Sequence, residues 1–188
     1  MLKNKVLMIT GGKGSFGSAV LDKFIDSDLE EIRIFSRDEK KQEDMRIAYK
    51  NSKLNFIIGD VRDFESINSA MFGVDYLFHA GALKQFPSCE FYPMQAVRTN
   101  IIGAENVLEP VARNNIKKSI VLSTDKAVYP INTMGMTKAV MDKLAISKAR
   151  DARVRGANKM ICATRYGNVM CSRGSVIPLF SKSWKINP

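Results

Sequence analysis

Thr10-Gly11-Gly12-Lys13-Gly14-Ser15-Phe16-Gly17 follows the apolar run Val6-Leu7-Met8-Ile9 and leads into a stretch of helical periodicity. Glycines at 11, 14 and 17 fit a G-x-x-G-x-x-G turn between a strand and a helix. The first glycine permits a tight turn, the second lets a pyrophosphate approach the backbone, and the third lets the helix pack closely on the sheet. The N-terminus of that helix, entered through Ser15 and Phe16, faces the phosphates with its free N–H groups. A glycine-rich loop alone says little. The strand–turn–helix setting is what makes it a dinucleotide signal.

Working outward, short apolar runs alternate with longer amphipathic ones, the pattern of βα units around a parallel sheet. Strands are expected at 6–10, 32–36, 55–58, 76–79, 119–123 and 160–165, with helices at 15–26, 39–50, 64–71, 93–114 and 133–150 and little else. Pro93 suits a first helical turn, and Val97, Ile101, Ala104, Leu108 and Val111 share one face of the helix that follows. In the last helix Met136, Val140, Leu144 and Ser147 lie along one stripe, with lysines elsewhere, and 151–159 reads as a surface excursion. The fold class is therefore α/β: a Rossmann-type, doubly wound parallel sheet with helices on both faces.

Composition bounds the rest. The chain has 188 residues, 45% of them hydrophobic, enough for one sizeable core. The formal net charge of +10 raises a nucleic-acid reading, but the lysines and arginines are dispersed and no aromatic-studded basic run appears. No nucleic-acid partner is expected. Cys89, Cys162 and Cys171 show no metal-ligand spacing and read as reduced thiols of a cytoplasmic protein, with no metal site. There is no signal-peptide pattern at the start and no apolar stretch of membrane-spanning length, so no membrane partner is expected.

The second strand ends in Phe35-Ser36-Arg37-Asp38. Enzymes that use NAD usually place a carboxylate at that tip for the ribose 2′-OH. Here Ser36 and Arg37 stand there, and a guanidinium suits a 2′-phosphate. NADP is the expected cofactor and NAD the alternative, should Arg37 merely pair with Asp38 or Glu39. Asp60 and Val61 follow the third strand, where a carboxylate can accept from an adenine amino group. Ala80, Gly81 and Ala82 are small enough to let a dinucleotide cross the sheet edge. His79, the single histidine, ends an apolar strand and reads as a packed, hydrogen-bonded core residue.

The fifth strand ends in Ser123-Thr124-Asp125-Lys126-Ala127-Val128-Tyr129-Pro130, a hydroxyl, a carboxylate and an amine at the strand edge where open α/β sheets bind ligands. With Ile34-Phe35-Ser36-Arg37-Asp38-Glu39, Ala82-Leu83-Lys84-Gln85, Arg165-Tyr166-Gly167-Asn168-Val169 and Ser172-Arg173-Gly174-Ser175-Val176-Ile177-Pro178, this segment resembles the extended short-chain dehydrogenase/reductase family. Within it, the match is to the nucleotide-sugar 4,6-dehydratases (5-inverting) that act on UDP-N-acetylglucosamine. One departure matters. Most of the family carries Tyr-x-x-x-Lys, whereas here Met134-Gly135-Met136-Thr137-Lys138 puts a thioether, with no proton to exchange, at the tyrosine position. The methionine version resembles the subgroup named for capsule and O-antigen synthesis.

The resemblance implies a mechanism. Hydride leaves sugar C4 for NADP⁺, Lys126 removes the C5 proton, Asp125 protonates the departing C6 hydroxyl, and the hydride returns to C6. Lys126 must then be a neutral amine, by burial or neighbouring positive charge. Thr124 and Lys138 would orient the sugar hydroxyl and nicotinamide ribose, beside Met134. Tyr166 and Asn168 join the implied cofactor contacts, and Lys84, Asn168, Arg173 and Ser175 the implied contacts to a UDP-sugar. A homo-oligomer is implied for full-length relatives.

The resemblance fades at Ser181, short of the strands and helices that cover sugar and uridine in the family. It divides the chain into a Rossmann domain at 1–170 and a remnant of a substrate region, with a divergent tail, at 171–188. Most of the substrate domain is expected to be missing, as after a frameshift or premature stop. A chain of this length is then expected to bind a dinucleotide without completing a cycle. Two other functions compete: a UDP-glucose 4-epimerase-type isomerase, which needs no acid at C6 or base at C5, and a non-catalytic cofactor-binding remnant.

Overall fold

The computed structural model describes residues 2–169 and residue 177. Six strands, β1 (Val6–Thr10), β2 (Glu31–Ser36), β3 (Leu54–Ile58), β4 (Tyr76–His79), β5 (Lys118–Leu122) and β6 (Met160–Thr164), form one sheet in the order β3-β2-β1-β4-β5-β6. Every pairing is parallel. Leu7 on β1 lies opposite Ile32 on one side and Tyr76 on the other. The chain thus winds outward one way to β3, returns to the centre, and winds the other way to β6. This reversal opens a crevice at the carboxyl ends of β1 and β4. The expected Rossmann-type architecture is the one observed.

Helices cover both faces because side chains alternate across each strand. On one face Leu7, Ile9, Ile32 and Ile34 pack against Leu21 of α1 (Ser15–Phe24) and Met45 of α2 (Glu39–Tyr49). On the other, Met8, Leu77, Val121 and Ile161 meet Ile67 of α3 (Phe64–Ala70), Val107, Leu108 and Val111 of α6 (Gly103–Arg113), and Met141 and Ala145 of α7 (Thr133–Val154). Each fully buried aliphatic side chain contributes about 1.5–3 kcal/mol. No helix among the described residues is long and apolar enough to cross a membrane.

Three features depart from the sequence expectation. A short helix, α4 (Phe86–Phe91), follows β4 where a loop was expected; Pro87 sits in its first turn, and Cys89 is its buried residue. The expected helix at 93–114 is divided into α5 (Pro93–Ala96), a π-helical stretch (Val97–Ile102) and α6. Within the stretch lies Asn100, fully buried, whose carboxamide accepts from Leu83 N (2.8 Å) and donates to Leu83 O (3.0 Å) and Thr137 Oγ1 (3.0 Å). The widened turn accommodates a side chain that ties the post-β4 loop to α7.

The third departure is α7 itself. It runs on to Val154, so the excursion shrinks to the turn around Gly156, whose φ of 70° suits only glycine without strain. Its buried face carries Met134, Thr137, Lys138, Met141, Asp142 and Ala145, not the Met136-Val140-Leu144-Ser147 stripe. Met136 and Val140 are exposed. Apolar periodicity selects the wrong face because the helix turns polar groups inward, beneath the crevice.

Candidate functional site

The turn after β1 is shaped by backbone contact. Gly11 has φ 70°, and a Cβ there would lie 2.9 Å from the Ala80 carbonyl and Gly81 nitrogen. A Cβ on Gly17 would lie 2.5 Å from Gly11 O, so α1 can approach the turn only through glycine. Asp38, Asp63 and Asn132 cap α2, α3 and α7 through their side chains, whereas Gly14 gives α1 none. The first N–H groups of α1 are thus left for an acceptor from outside the helix. Bare glycine backbone and an uncapped helix end together fit a pyrophosphate.

A cleft of about 1520 Å³ runs from this turn along the carboxyl ends of the strands. Gly11, Gly14, Ser15 and Gly17 line one end, with Ser36, Arg37, Asp60 and Val61 beyond β2 and β3. Ala80, Gly81, Ala82 and Lys84 line the middle, where Phe16 meets Tyr166, and Thr124, Lys126, Met134, Lys138 and Asn168 the far end. Residues scattered over 158 positions of sequence are thereby brought to one edge of one sheet. Asp125 stands beside the cleft, bonded to the residues that line it. Arg173 and Ser175, and the remnant at 171–188 apart from residue 177, lie outside the described residues.

At the β2 tip, Arg37 faces Asp60 at 3.6 Å and not Asp38, which pairs with Lys41. Arg62 also holds Asp60, through Nε at 2.8 Å and Nη2 at 2.6 Å. Burial pushes the Asp60 carboxyl upward, but the hydrogen bonds from Arg62 and the charge of Arg37 prevail and keep it below the usual range. The expected adenine acceptor is therefore already engaged by two guanidiniums. Lys13 and Lys41 add further positive charge to this end of the cleft, and neither was singled out from sequence. Lys13 lies inside the glycine turn, which was signal enough. Buried Gln42 donates to Ile34 O, Ser36 O and Ile57 O (3.4, 3.2 and 2.8 Å), fixing the β2 tip.

At the far end Thr124 Oγ1 donates to Asp125 Oδ1 (2.9 Å), and Lys126 Nζ donates to the same oxygen (2.9 Å) and to Asn168 Oδ1 (3.0 Å). The Lys126 ammonium, then the Thr124 hydroxyl, hold the Asp125 carboxyl below the usual carboxylate range. Lys126 thus sits in an ion pair, not in the buried or cationic setting that the sequence reading required of it. The buried amine is Lys138. Its Nζ donates to Leu122 O (2.8 Å), and burial lowers its pKa to about 8 against the opposing pull of Asp142 and Cys89. Met134, one turn before it, is buried with Cys89 and Ala96. Phe16 and Tyr166 meet across the cleft with ring centroids 4.4 Å apart. Burial, with the charge of Asp125, raises the Tyr166 hydroxyl above its ordinary value.

His79 takes the core role expected of it: Nδ1 lies 2.7 Å from Thr10 Oγ1, and burial, then the charge of Lys138, lower its pKa to about 3.

Residues 7–187 match the family model described as polysaccharide biosynthesis protein. A protein of Rickettsia prowazekii (strain Madrid E) named UDP-glucose 4-epimerase is 67% identical over 184 residues, covering 96% of this chain and 53% of its own length. The chain therefore spans about half the length of the curated relatives it matches. The solved structure of Pen from Bacillus thuringiensis superposes with a TM-score of 0.94 at 35% identity, covering 100% of this chain and 57% of that one. DesIV, a dTDP-glucose 4,6-dehydratase of Streptomyces venezuelae, shares the fold at 20% identity and a TM-score of 0.79, covering 96% of this chain and 62% of its own.

Proposed function

The chain belongs to the polysaccharide biosynthesis protein family, within the extended short-chain dehydrogenases/reductases, and from that premise we propose that it is the nicotinamide-binding half of a UDP-sugar 4-epimerase. One observation carries the reading: a single cleft joins the glycine turn to Thr124, Lys126 and Lys138, so a long two-ended ligand can reach both ends. Relatives about two-thirds identical and named UDP-glucose 4-epimerase support epimerisation as the outcome, ahead of the dehydration expected from sequence.

A nicotinamide dinucleotide, when bound, supplies a hydride acceptor at sugar C4 and returns the hydride. The chain's own residues do the rest. Gly11, Gly14, Gly17 and the α1 N-terminus would hold the dinucleotide's pyrophosphate. Arg37 offers a guanidinium to a 2′-phosphate, favouring NADP over NAD. Lys138, whose pKa burial lowers to about 8, would donate to the nicotinamide ribose. Met134 has no proton to give, so the C4 hydroxyl proton passes through Thr124 Oγ1 to Asp125, which the 2.9 Å contact permits. Lys126, steadied by Asn168, holds the Asp125 carboxyl below its usual range in the free site, so this ion pair must loosen for Asp125 to take the proton.

A second reading, 4,6-dehydration of UDP-N-acetylglucosamine, is favoured by one specific feature. Asp125 and Lys126 form a carboxylate–ammonium pair 2.9 Å apart, and passing the proton from Lys126 to Asp125 would give the acid and the amine that dehydration needs and a tyrosine-dependent epimerase does not. To decide, the chain, alone and fused to the C-terminal half of the Rickettsia prowazekii relative, is incubated with UDP-glucose and UDP-N-acetylglucosamine plus NAD⁺ or NADP⁺, and the sugars are read by proton NMR. A C4 epimer is expected. A 4-keto-6-deoxy sugar would transfer the assignment to the dehydratase, and unchanged substrate in the fusion would overturn both.

A further inference from the structure

The mechanism leaves one buried charge unused. Asp142 is 2% exposed and lies one helical turn beyond Lys138 on the inner face of α7. Its Oδ2 accepts from Arg165 Nε at 2.8 Å, while its Oδ1 is buried with no partner among the described residues. An ionised carboxylate so enclosed, with one hydrogen bond to a side chain, is costly to bury. What it touches and what it faces belong to different halves of the site.

Arg165 begins the segment that follows β6. Beside it, Ser123 N donates to Thr164 O (2.8 Å) and Asp125 N donates to Tyr166 O (2.9 Å), so residues 123–125 take their place from residues 164–166. Two residues further, Asn168 receives the Lys126 ammonium. On the other side, Lys138 is anchored on Leu122 O, the last residue of β5, which pairs with Thr164 of β6. We propose that Asp142 is a positioning residue that aligns Lys138 with the Asp125–Lys126 pair by holding Arg165, so that one carboxylate sets the place of both the site's lysines. The geometry stands without any ligand; only the service rendered to a cofactor and sugar rests on the function proposed above.

The charged and titratable groups facing Lys138 are His79 from β4, Cys89 from α4 and Asp142 from α7 itself. Burial disfavours the charge on His79 and on Cys89. Asp142 is the first of the two neighbours, ahead of Cys89, whose charge opposes the burial of the Lys138 ammonium. Arg165 in turn draws on the same carboxylate. Two substitutions then have opposite signs. Asp142→Asn removes the supporting charge and moves Lys138 acidward. Arg165→Gln frees the carboxylate and moves Lys138 alkaline, although it loosens the same segment. A brace with only a packing role moves Lys138 in neither direction.

The test uses the ligand-free chain with ¹³C-labelled lysine, titrated by NMR, together with amide hydrogen exchange. Asp142→Asn is expected to lower the proton affinity of Lys138 about tenfold, a shift of about one unit, and Arg165→Gln to raise it. Asp142→Glu keeps the parent midpoint. The Ser123 and Asp125 amides exchange faster in both Asp142→Asn and Arg165→Gln, while those of α2 stay protected. Lys138 unmoved, or moved the same way in both, overturns the proposal, as does unchanged Asp125 exchange in Arg165→Gln. Should Asp142→Asn fail to fold, Arg165→Gln decides alone, because that side chain is about half exposed. A parallel titration with NADP⁺ and NAD⁺ separates the two claims: a parent that binds neither refutes the cofactor reading, and the lysine midpoints still judge the coupling.

Discussion

Arg37 leaves its strand with a guanidinium 3.6 Å from Asp60 and more than half exposed, free to turn toward an incoming phosphate. Arg37→Ala is therefore expected to weaken NADP⁺ at least about tenfold and NAD⁺ no more than about twofold, by calorimetric titration of both. Equal losses would take Arg37 out of cofactor choice. His79 makes a prediction of another kind. Its folded pKa of about 3 lies below the ordinary 6.5, so between those values the unfolded chain binds a proton that the folded chain refuses. Stability is complete above about pH 6.5 and declines as pH falls toward 3, at up to about 1.4 kcal/mol per pH unit. Urea midpoints between pH 7 and 4 should drop less steeply in His79→Gln than in the parent. Both residues were legible in the sequence, because the one ends a strand at a tip and the other ends an apolar run.

The strands were equally legible as elements, since each is a short apolar run fenced by polar residues, and a parallel sheet demands that. The helices were less so, for physical reasons. A π-helical turn has no periodicity of its own, and its cause, the reach of Asn100 to Leu83 and Thr137, joins residues distant in sequence. Asn100→Ala is expected to cost about 3 kcal/mol, about 1 for each hydrogen bond lost, and to speed amide exchange at Leu83. A loss under about 0.5 kcal/mol would show that the turn is held by packing instead. On α7 the hydropathic pattern misleads outright, because Thr137, Lys138 and Asp142 are turned inward. The glycine turn, Arg37, Thr124 and Lys126 could be found from their motifs. Arg62, Asn100 and Asp142 could not, because nothing local marks them and only tertiary contact gives them partners.

Across the whole molecule, apolar side chains not used by either core stand in water. Tyr129 and Ile131, in the segment between residues 125–127 and α7, are 88% and 89% exposed. Apolar surface of this kind promotes association. The double substitution Tyr129→Lys, Ile131→Lys is expected to cut binding of a hydrophobic dye by about half and leave the melting temperature unchanged. A dye signal equal to the parent's would place the adhesive surface elsewhere, with exposed Phe72, Phe91 and Val154 the next to try. The strand order has a consequence in time. Thr10 and His79, which meet across the join of β1 and β4, are 69 residues apart, whereas β1 meets β2 much sooner. On the ribosome, at roughly 5–20 residues per second, one edge of β1 therefore waits several seconds for its neighbour, with its backbone open to other strands. The seam on which the crevice opens is also the interval in synthesis when a nascent chain most needs a chaperone.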